Sequence, residues 1–352
     1  MSRAVPSGPS EADLVWCRES MTAVSRTFAI TVDRLEEPMA SHVCVGYLCC
    51  RVADTVEDAG HIPLEQRAAI LAQFDRVLDP ADEFDAAAFL ESADPWIPAD
   101  GDDEWSPDWN VVAETPRVVE TFECFEAEPK ACMRPPIREL VTGMATFADR
   151  HAADGGLRIR SLEELESYCW YVAGTVGTLV TDLVARDASD EQARLLASNA
   201  RSFALLLQLV NVSKDVARDY RLQNDVYLPA SWLADVGVDQ EAITEPAHDE
   251  AVSRVIGRLV DHAAGYLDDA QRYLEVLPEH HGNRLSAWAI PYLLAVGTIR
   301  ELRRRPADVL RDGDVKISRA EVATLIGRFE EGVDRDELAT LRAEMADRPL
   351  HQ

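Results

Sequence analysis

Apolar residues recur every three or four positions along most of the chain, and strictly alternating polar and apolar runs are nearly absent. The first spacing is that of an amphipathic helix, whereas alternation is that of a half-buried strand. The clearest helical segments are HVCVGYLCCRVADTVED, EELESYCWYVAGTVGTLVTDLVARD, ARLLASNARSFALLLQLVNVSKDVARDY and AWAIPYLLAVGTIRELRRR. The pattern predicts an all-α protein of roughly a dozen helices. We expect them to form a single domain over residues 1–352.

One stretch, from Leu78 to Asn110, interrupts the helical pattern. It is rich in proline, aspartate and glycine, which favour turns over helix interiors. We interpret residues 78–110 as an acidic surface insertion, with a mobile flap as the alternative. Neither an internal repeat nor a shift in composition marks a second domain.

The chain is strongly acidic, with 63 aspartate and glutamate residues, 35 lysine and arginine residues and a formal charge of −28. A surface of this charge repels nucleic acid and anionic membranes, which argues against both as partners. Only three of the basic residues are lysines. A surface poor in lysine and rich in carboxylates suits concentrated salt, which screens the repulsion. The balance indicates a halophilic protein, with an acidic mesophilic protein as the alternative.

Cysteine usage and hydropathy indicate a cytoplasmic protein. The seven cysteines show no C-x-x-C spacing and mostly lie in apolar segments, as buried, reduced thiols do. No apolar run reaches the ~18 residues that span a bilayer, and the first residues lack the apolar core of a signal peptide. We therefore expect no transmembrane segment, and a membrane contact that is peripheral if it exists.

Two aspartate pairs end the most apolar helices of the chain. Asp54 and Asp58 are four residues apart, as are Asp215 and Asp219, so each pair lies on one helical face. The spacing alone carries little weight in a chain so rich in aspartate. Other pairs of this spacing lie in polar sequence, and we interpret them as solvated surface. The apolar context is what distinguishes these two pairs.

A narrow polar stripe leads to each aspartate pair along a helix that is otherwise apolar. Such a stripe is typical of a buried helix that lines an internal polar site. A third stripe of this kind follows the segment that begins at Tyr168. The three stripes consist of Tyr47, Arg51, Asp54 and Asp58; of Gln208, Asn211, Asp215 and Asp219; and of Tyr168, Tyr171, Thr175, Thr178 and Asp182.

Buried carboxylates are unfavourable unless a positive charge meets them. Carboxylates beside an asparagine and a glutamine offer hard oxygen ligands with room for water, which suits Mg²⁺ bridging to phosphate oxygens. Two facing aspartate pairs would hold two or three such ions, which would bind a diphosphate and stabilise it as it leaves. The alternative is a structural cluster of ion pairs with Arg51, Lys214 and Arg218.

Several sequence motifs follow one another along most of the chain. They are SRTFA (25–29), YLCCRVADTVED (47–58), GMATFAD (143–149), YCWYVAGTVG (168–177), LQLVNVSKDVARD (207–219), AIPYLLAVGTIREL (289–302) and VKISR (315–319). In this order they resemble the motifs of the squalene/phytoene synthases. The resemblance implies an isoprenoid-synthase-type helical bundle around a central hydrophobic cavity. DTVED (54–58) resembles the squalene-synthase form of the first motif, whereas the phytoene-synthase form reads D-E-x-x-D.

The resemblance also implies roles for individual residues. The implied Mg²⁺ ligands are Asp54, Asp58, Asn211, Asp215 and Asp219. The implied catalytic residues are Tyr168 and the four aspartates. The implied substrate-binding residues are Ser25, Arg26, Phe28, Tyr47, Arg51, Gln208, Asn211 and Lys214. Arg218 departs from the family, which usually has an acidic residue at that position.

The resulting hypothesis is a Mg²⁺-dependent, head-to-head condensation of two farnesyl diphosphates. It passes through presqualene diphosphate to squalene, with reduction by NADPH. No glycine-rich dinucleotide motif is present; Lys316 with Arg319, or Arg51 with Lys214, could bind a cofactor phosphate. A dehydrosqualene or phytoene synthase, which ends without reduction, is the first alternative. The second is a non-catalytic helical paralogue or interaction protein whose buried carboxylates are structural.

Overall fold

The computed structural model of the chain describes residues 8–102, 105–311, 315–330, 332 and 334–351, except for the side chains of Arg26 and Thr27. The described residues contain eighteen α-helices and no strand longer than an isolated bridge between Arg158 and Val226. The all-α prediction is confirmed. The helices outnumber the predicted dozen because several polar stretches contain short helices of their own.

The helices are listed here in chain order. They are α1 (Glu11–Val24), α2 (Arg26–Val32), α3 (Met39–Glu57), α4 (Leu64–Leu78), α5 (Ala86–Ala93), α6 (Pro107–Ala113), α7 (Thr115–Glu123), α8 (Ala127–Arg150), α9 (Leu162–Cys169), α10 (Thr175–Val184), α11 (Asp190–Gln223), α12 (Ala230–Ala234), α13 (Asp249–Ala264), α14 (Leu267–Glu275), α15 (Leu285–Arg304), α16 (Asp308–Arg311), α17 (Arg319–Arg328) and α18 (Arg335–Asp347). A π-helical turn, Trp170–Gly174, joins α9 to α10.

Short polar side chains fix where several helices begin. Ser161 and Ser189 precede α9 and α11, and each side-chain oxygen accepts a hydrogen bond from a backbone N–H of the first turn. This bond satisfies one of the donors that a helix leaves unpaired at its start. α11 ends at Asn224, whose φ of 61° places it in the left-handed region that stops a helix.

Helices α3 and α11 form the centre of the protein. α3 packs against α1, α4, α6, α7 and α8, whereas α11 packs against α10, α13, α14 and α15. By length and composition, α11 is the one helix in the described part of the chain that could cross a membrane. More than half of its most apolar window, 56%, is buried inside the protein, which is the behaviour of a core helix.

The helices around these two approach closely at glycines. A Cβ atom on Gly143 of α8 would lie 2.2 Å from the ring of Tyr171. One on Gly177 of α10 would lie 2.9 Å from the Cβ atom of Ala204 on α11. Any larger residue would push these elements apart, so glycine sets the separation of α8, α10 and α11 beside the π-turn.

The stretch at 78–110, interpreted from its sequence as irregular, is partly helical. It contains α5, the 3₁₀ turn Asp94–Trp96 and the start of α6. Asp85 caps α5, and the buried ring of Phe89 packs 5.2 Å from that of Phe74. The predicted interruption of the helical pattern is therefore wrong for these residues, and the acidic surface insertion stays a prediction. Polar residues dominate the composition, but the few apolar ones are spaced to anchor a short helix on the core.

A buried ion pair anchors the C-terminal helices. The guanidinium of Arg300 on α15 donates to both carboxylate oxygens of Glu321 on α17, at 2.9 and 2.8 Å, and the two side chains are 3% and 1% exposed. The same guanidinium donates to the carbonyl of Met345 on α18 at 2.7 Å. The Leu350 backbone N–H donates to Glu321 at 3.3 Å. One buried pair thus holds three helices and the last described turn together.

Candidate active site

The polar stripe predicted on α3 is the exposed face of a helix that is otherwise buried. Every residue of α3 is buried except Tyr47, Arg51 and Asp54, and Asp58 follows the helix as its exposed C-terminal cap. A helix surrounded by protein has solvent-exposed residues on one line only if an open space runs along that line. The stripe therefore faces such a space.

The stripe on α11 has the same property. Gln208, Asp215 and Asp219 are partly exposed and Asn211 is exposed, whereas Leu205, Leu206, Leu209, Val210, Val212 and Ser213 are buried. Tyr171 and Thr178, on the π-turn and α10, are partly exposed as well. We call the space bordered by these stripes the acidic cleft.

The two aspartate pairs lie within electrostatic reach of each other across the cleft. The pKa of Asp219 is raised to about 8, first by burial, then by the charges of Asp215 and Asp58. The pKa of Asp54 is raised to about 7, mainly by burial, with Asp58 and Asp108 adding to the effect of burial and Arg51 opposing it. The structure therefore brings together the four aspartates that the sequence singled out. Their negative charge exceeds what the neighbouring cations neutralise.

Arg51 joins the aspartates to the aromatic wall of the cleft. Its Nη2 and Nε atoms donate to the Tyr47 hydroxyl at 2.7 and 3.2 Å. Its Nε lies 3.5 Å from Asp108 Oδ1, and its Nη1 lies 3.9 Å from Asp54 Oδ2. Asp108 belongs to α6, far from the motif in sequence, and sequence analysis missed it. No local pattern marks an aspartate at the start of a short helix as the partner of this arginine.

The segment around Ser25 lies beside Tyr47. The ring of Phe28 stacks on that of Tyr47 with centroids 4.3 Å apart and planes 22° from parallel. Ser25 caps α2, its Oγ accepting from the Phe28 N–H at 3.2 Å. Burial raises the pKa of Tyr47, and the charge of Arg51 and a hydrogen bond with Ser25 oppose this rise. The structure thus brings Ser25, Phe28, Tyr47 and Arg51 together. The side chain of Arg26 lies outside the described part of the chain.

Tyr168 lies inside the core, with only 3% of its surface exposed. Its hydroxyl donates to Glu57 Oε1 at 3.1 Å and lies 3.0 Å from the hydroxyl of Tyr227. Burial raises the pKa of Glu57 and of both tyrosines well above their ordinary values. Sequence analysis assigned no role to Glu57 or Tyr227. Glu57 is part of the DTVED motif, but the sequence does not show that its side chain points into the core. Tyr227 lies in a loop after α11, where no helical pattern indicates its neighbours.

A buried positive charge lies behind the aspartates. Arg67, 3% exposed, donates to the carbonyls of Glu57 and Ile62 at 2.7 and 2.8 Å. Its charge lowers the pKa of Asp225. Burial outweighs this effect and raises the pKa of Asp225 to about 7, although its Oδ1 accepts from the Leu157 N–H at 2.6 Å. Neither residue was predicted. Arg67 is a charged residue on the buried face of α4, and its hydrogen-bond partners become apparent only when the helices are packed together.

The basic residues predicted to bind phosphate groups differ in their surroundings. Lys214 pairs with its neighbour Asp215 at the cleft, whereas Arg218 is exposed. Lys316 and Arg319 are exposed too. The segment leading to them is fixed beside the end of α11, because Arg221 Nη2 donates to the Leu310 carbonyl at 2.9 Å.

Among the described residues, no group of three or more histidines, cysteines, aspartates or glutamates is arranged to hold a metal ion unaided. The cleft instead offers a pair of carboxylates from each side, with the amides of Gln208 and Asn211 on the same stripe of α11 as Asp215 and Asp219. Mg²⁺ characteristically takes one or two protein carboxylates and completes its shell with water and phosphate oxygens. Burial, with like charges adding to it, raises the pKa values of Asp54 and Asp219, so a bound divalent cation would favour their ionised forms. This donor set fits Mg²⁺ shared with a diphosphate.

Comparison with known proteins identifies a family from the sequence. Residues 21–321 match the squalene/phytoene synthase family. The squalene synthase of Ganoderma lucidum is 27% identical over 330 residues, covering 89% of this chain and 65% of that protein. The human squalene synthase is 25% identical over 318 residues, covering 90% and 69%. The chain thus spans about two thirds of the length of these relatives.

Solved structures share the fold. A ligand complex of TcSQS superposes with a TM-score of 0.77 at 23% identity, covering 96% of this chain and 92% of that one. A dehydrosqualene synthase bound to a ligand gives a TM-score of 0.62 at 21% identity, covering 91% and 96%. With the family match extending over most of its length, the chain belongs to the squalene/phytoene synthase family, which is of prenyltransferase type.

Proposed function

We propose that the protein is a Mg²⁺-dependent prenyltransferase that condenses two farnesyl diphosphates head to head through presqualene diphosphate to squalene, with reduction by NADPH. The observation that carries the proposal is the meeting of two aspartate pairs, one ending α3 and one near the end of α11, at an open cleft between buried helices. Squalene synthases among the relatives support the choice of product.

The diphosphate groups would bind at the acidic end of the cleft. Asp54 and Asp58 on one side, and Asp215 and Asp219 on the other, would hold Mg²⁺, which supplies positive charge to the departing diphosphate. Arg51 presents a planar fork suited to two phosphate oxygens. Its loose contacts, 3.5 Å to Asp108 and 3.9 Å to Asp54, leave it free to exchange a carboxylate for a phosphate.

The prenyl chains would lie along the apolar part of the cleft. The stacked rings of Phe28 and Tyr47 form one wall, and Tyr171, Val176 and Leu207 are partly exposed on the facing helices. An apolar wall keeps water from trapping a carbocation, and an aromatic face stabilises positive charge. These side chains would therefore direct the cation toward the second substrate.

Tyr168 would handle the proton of the condensation. Closing the cyclopropane ring of presqualene diphosphate releases one proton from carbon. The Tyr168 hydroxyl is held between Glu57 Oε1 and the Tyr227 hydroxyl, so it can accept a proton while passing its own to the glutamate. Because burial raises the pKa of Glu57 well above its ordinary value, this route requires the positive charge of the nearby carbocation to favour the ionised glutamate in the loaded enzyme.

The reductive step needs a site for the phosphate groups of NADPH. Lys316 and Arg319 are exposed basic residues that would bind a phosphate of NADPH, near the end of α11. A dehydrosqualene synthase, which needs no reductant, is the second candidate, and the likeness to a solved dehydrosqualene synthase favours it. A non-catalytic paralogue with structural carboxylates is the third, and it predicts no diphosphate binding that depends on Mg²⁺.

The experiment incubates the purified chain with Mg²⁺ and farnesyl diphosphate, with and without NADPH, and analyses the organic extract by gas chromatography–mass spectrometry. The proposal expects squalene only with NADPH, and presqualene diphosphate accumulating without it. Dehydrosqualene under both conditions would move the protein to the carotenoid branch. No product from farnesyl diphosphate, but phytoene from geranylgeranyl diphosphate, would change the substrate as well.

Two variants separate catalysis from folding. Asp54→Asn and Asp215→Asn should each abolish turnover while the helical circular-dichroism signal is kept. Asp239→Asn is the matched control, because Asp239 has the same spacing from Asp235 but is exposed and lies outside the cleft. Full activity in either cleft variant would refute the metal-binding role.

A further inference from the structure

The loop that carries Tyr227 is paired with the loop that precedes α9. The Val226 N–H donates to the Leu157 carbonyl at 2.9 Å, and the Val226 carbonyl accepts from the Ile159 N–H at 3.1 Å. Tyr227 itself is buried, with 7% of its surface exposed. Because Val226 uses both of its backbone groups on the other loop, the position of the neighbouring Tyr227 depends on that loop.

The guanidinium of Arg158 binds the residue at which α11 ends. Its Nη2 donates to Oδ1 of Asn224 at 2.9 Å, and its Nη1 donates to the Asn224 carbonyl. The same Nη1 donates to the Leu157 carbonyl at 3.0 Å. Arg158 is 8% exposed, so these bonds form largely away from bulk water. A cation at the C-terminal end of a helix is favourable, because the last carbonyls of the helix carry partial negative charge.

Asn224 is in close contact with the loop that precedes α9. Its side-chain amide donates to the Gly155 carbonyl at 3.1 Å. A Cβ atom on Gly156 would lie 2.1 Å from the Asn224 carbonyl oxygen, so the two backbones touch at this point. The carbonyl of Asn224 and both ends of its amide are therefore used by one loop. Only two residues separate this fixed point from Tyr227.

We propose that Arg158 is a positioning residue that holds the Tyr227 hydroxyl within hydrogen-bond distance of the Tyr168 hydroxyl. The inference rests on the proposed function, in which the Tyr168 hydroxyl transfers a proton. The two hydroxyls lie 3.0 Å apart, and a displacement of ~1 Å would take them beyond hydrogen-bond distance. Arg158 fixes the end of α11 relative to the start of α9, and these two elements lead to Tyr227 and Tyr168.

The kinetic test combines Arg158→Gln with Tyr227→Phe. Arg158→Gln alone should lower kcat about threefold to fivefold, with KM nearly unchanged. Added to Tyr227→Phe, it should lower kcat no further, because no hydroxyl is left to position. A multiplicative loss of kcat in the double variant would mean that Arg158 acts independently of Tyr227 and would overturn the proposal.

Two further variants complete the kinetic test. Arg158→Lys keeps the charge but loses the planar fork, so it should recover part of the lost kcat. Arg160→Gln is the matched control, because Arg160 belongs to the same loop but its side chain is 66% exposed. Its kcat should equal that of the wild-type protein. An equal loss of kcat in Arg160→Gln would show that any change in this loop has the same effect, which contradicts a specific role for Arg158.

A second measurement does not depend on catalysis. Hydrogen–deuterium exchange of the full chain reports on the pairing of the two loops directly. In Arg158→Gln, the Val226 and Ile159 amides should exchange about tenfold faster than in the wild-type protein, whereas amides in the middle of α3 should keep their rates.

Two outcomes of the exchange measurement contradict the proposal. Unchanged exchange at Val226 would show that Arg158 does not hold the loop, and faster exchange throughout the chain would show that it acts on global stability. A wild-type protein that forms no product from farnesyl diphosphate would instead refute the proposed function. The exchange rates would still decide whether Arg158 positions Tyr227.

Discussion

The hydroxyl of Tyr168 lies 3.1 Å from Glu57 Oε1, inside the core and not on the open wall of the cleft. The acidic side chains of the DTVED motif therefore point in two different directions. Asp54 and Asp58 reach the cleft, whereas Glu57, 5% exposed, turns inward to the tyrosine. One helical turn thus joins the proposed site of diphosphate binding to the proposed site of proton transfer.

Tyr227→Phe tests the role of the hydroxyl 3.0 Å from that of Tyr168. A buried hydrogen bond contributes about 1 kcal/mol, and its loss frees the Tyr168 hydroxyl to rotate. We expect kcat to fall about fivefold to tenfold with KM nearly unchanged, since Tyr227 does not face the diphosphate. Steady-state kinetics measures both constants.

The matched control for Tyr227→Phe is Tyr273→Phe. Tyr273 is also buried, and its hydroxyl lies 3.0 Å from the Thr181 hydroxyl, in a different part of the bundle. It should lose stability and keep kcat. An equal fall of kcat in the two variants would mean that Tyr227 acts only through stability.

Asp219→Asn should stabilise the metal-free protein and lower its activity. Burial and the charges of Asp215 and Asp58 raise the pKa of Asp219 to about 8, so ionising this carboxylate destabilises the metal-free fold. At pH 9 in EDTA, the neutral amide should raise Tm by about 1–2 °C, the shift expected for ~1 kcal/mol in a chain of this length. Turnover with Mg²⁺ should fall by two orders of magnitude or more. A lower Tm in EDTA would contradict the claim that charge accumulates here.

The metal-free protein should lose stability as pH rises. The pKa values of Asp54, Asp219 and Asp225 are about 7, 8 and 7 when folded, against ~3.9 for an unperturbed aspartate. The folded state therefore binds more protons than the unfolded state between about pH 4 and 8, and stability falls with pH across that window. Above about pH 8 the loss should level off.

Mg²⁺ should reverse this trend. It binds the ionised carboxylates, so the rise in Tm on adding Mg²⁺ should be larger at pH 8 than at pH 6. Calorimetry at both pH values, with Ca²⁺ and Na⁺ at matched ionic strength, measures the effect. A Mg²⁺ effect that is independent of pH would place the ion away from these aspartates.

Asp108→Asn should strengthen substrate binding. Asp108 lies 3.5 Å from Arg51 Nε and competes with a diphosphate for that guanidinium. Neutralising it also removes a negative charge near the site, so KM should fall about threefold to tenfold with little change in kcat. Asp85→Asn, a change to the aspartate that caps α5, is the control and should leave KM unchanged. A higher KM in Asp108→Asn would show that Asp108 positions Arg51 and does not compete for it.

The sequence predicted those parts of the site that local periodicity determines. Spacing of three and four residues placed Tyr47, Arg51 and Asp54 on one line, and they are the three residues of α3 that escape burial. It could not show that Glu57, three positions after Asp54, turns inward to a tyrosine 111 residues later. Tyr227 lies 59 residues from Tyr168, and contacts over such distances depend on how whole helices pack.

The same limit explains the errors elsewhere. The polar composition at 78–110 gave no indication of α5. A single buried ring, that of Phe89, is enough to pack this short helix against the core.

The bond network around Arg300 also determines where the chain can be shortened. Its guanidinium donates to Glu321 and to the Met345 carbonyl, and Glu321 accepts from the Leu350 N–H. A chain that ends before residue 345 would therefore lack the residues that cover this ion pair. Such a truncation would expose apolar surface of α15 and favour aggregation. Helix α18 is thus required to cover the core, and fusions or tags belong beyond Leu350.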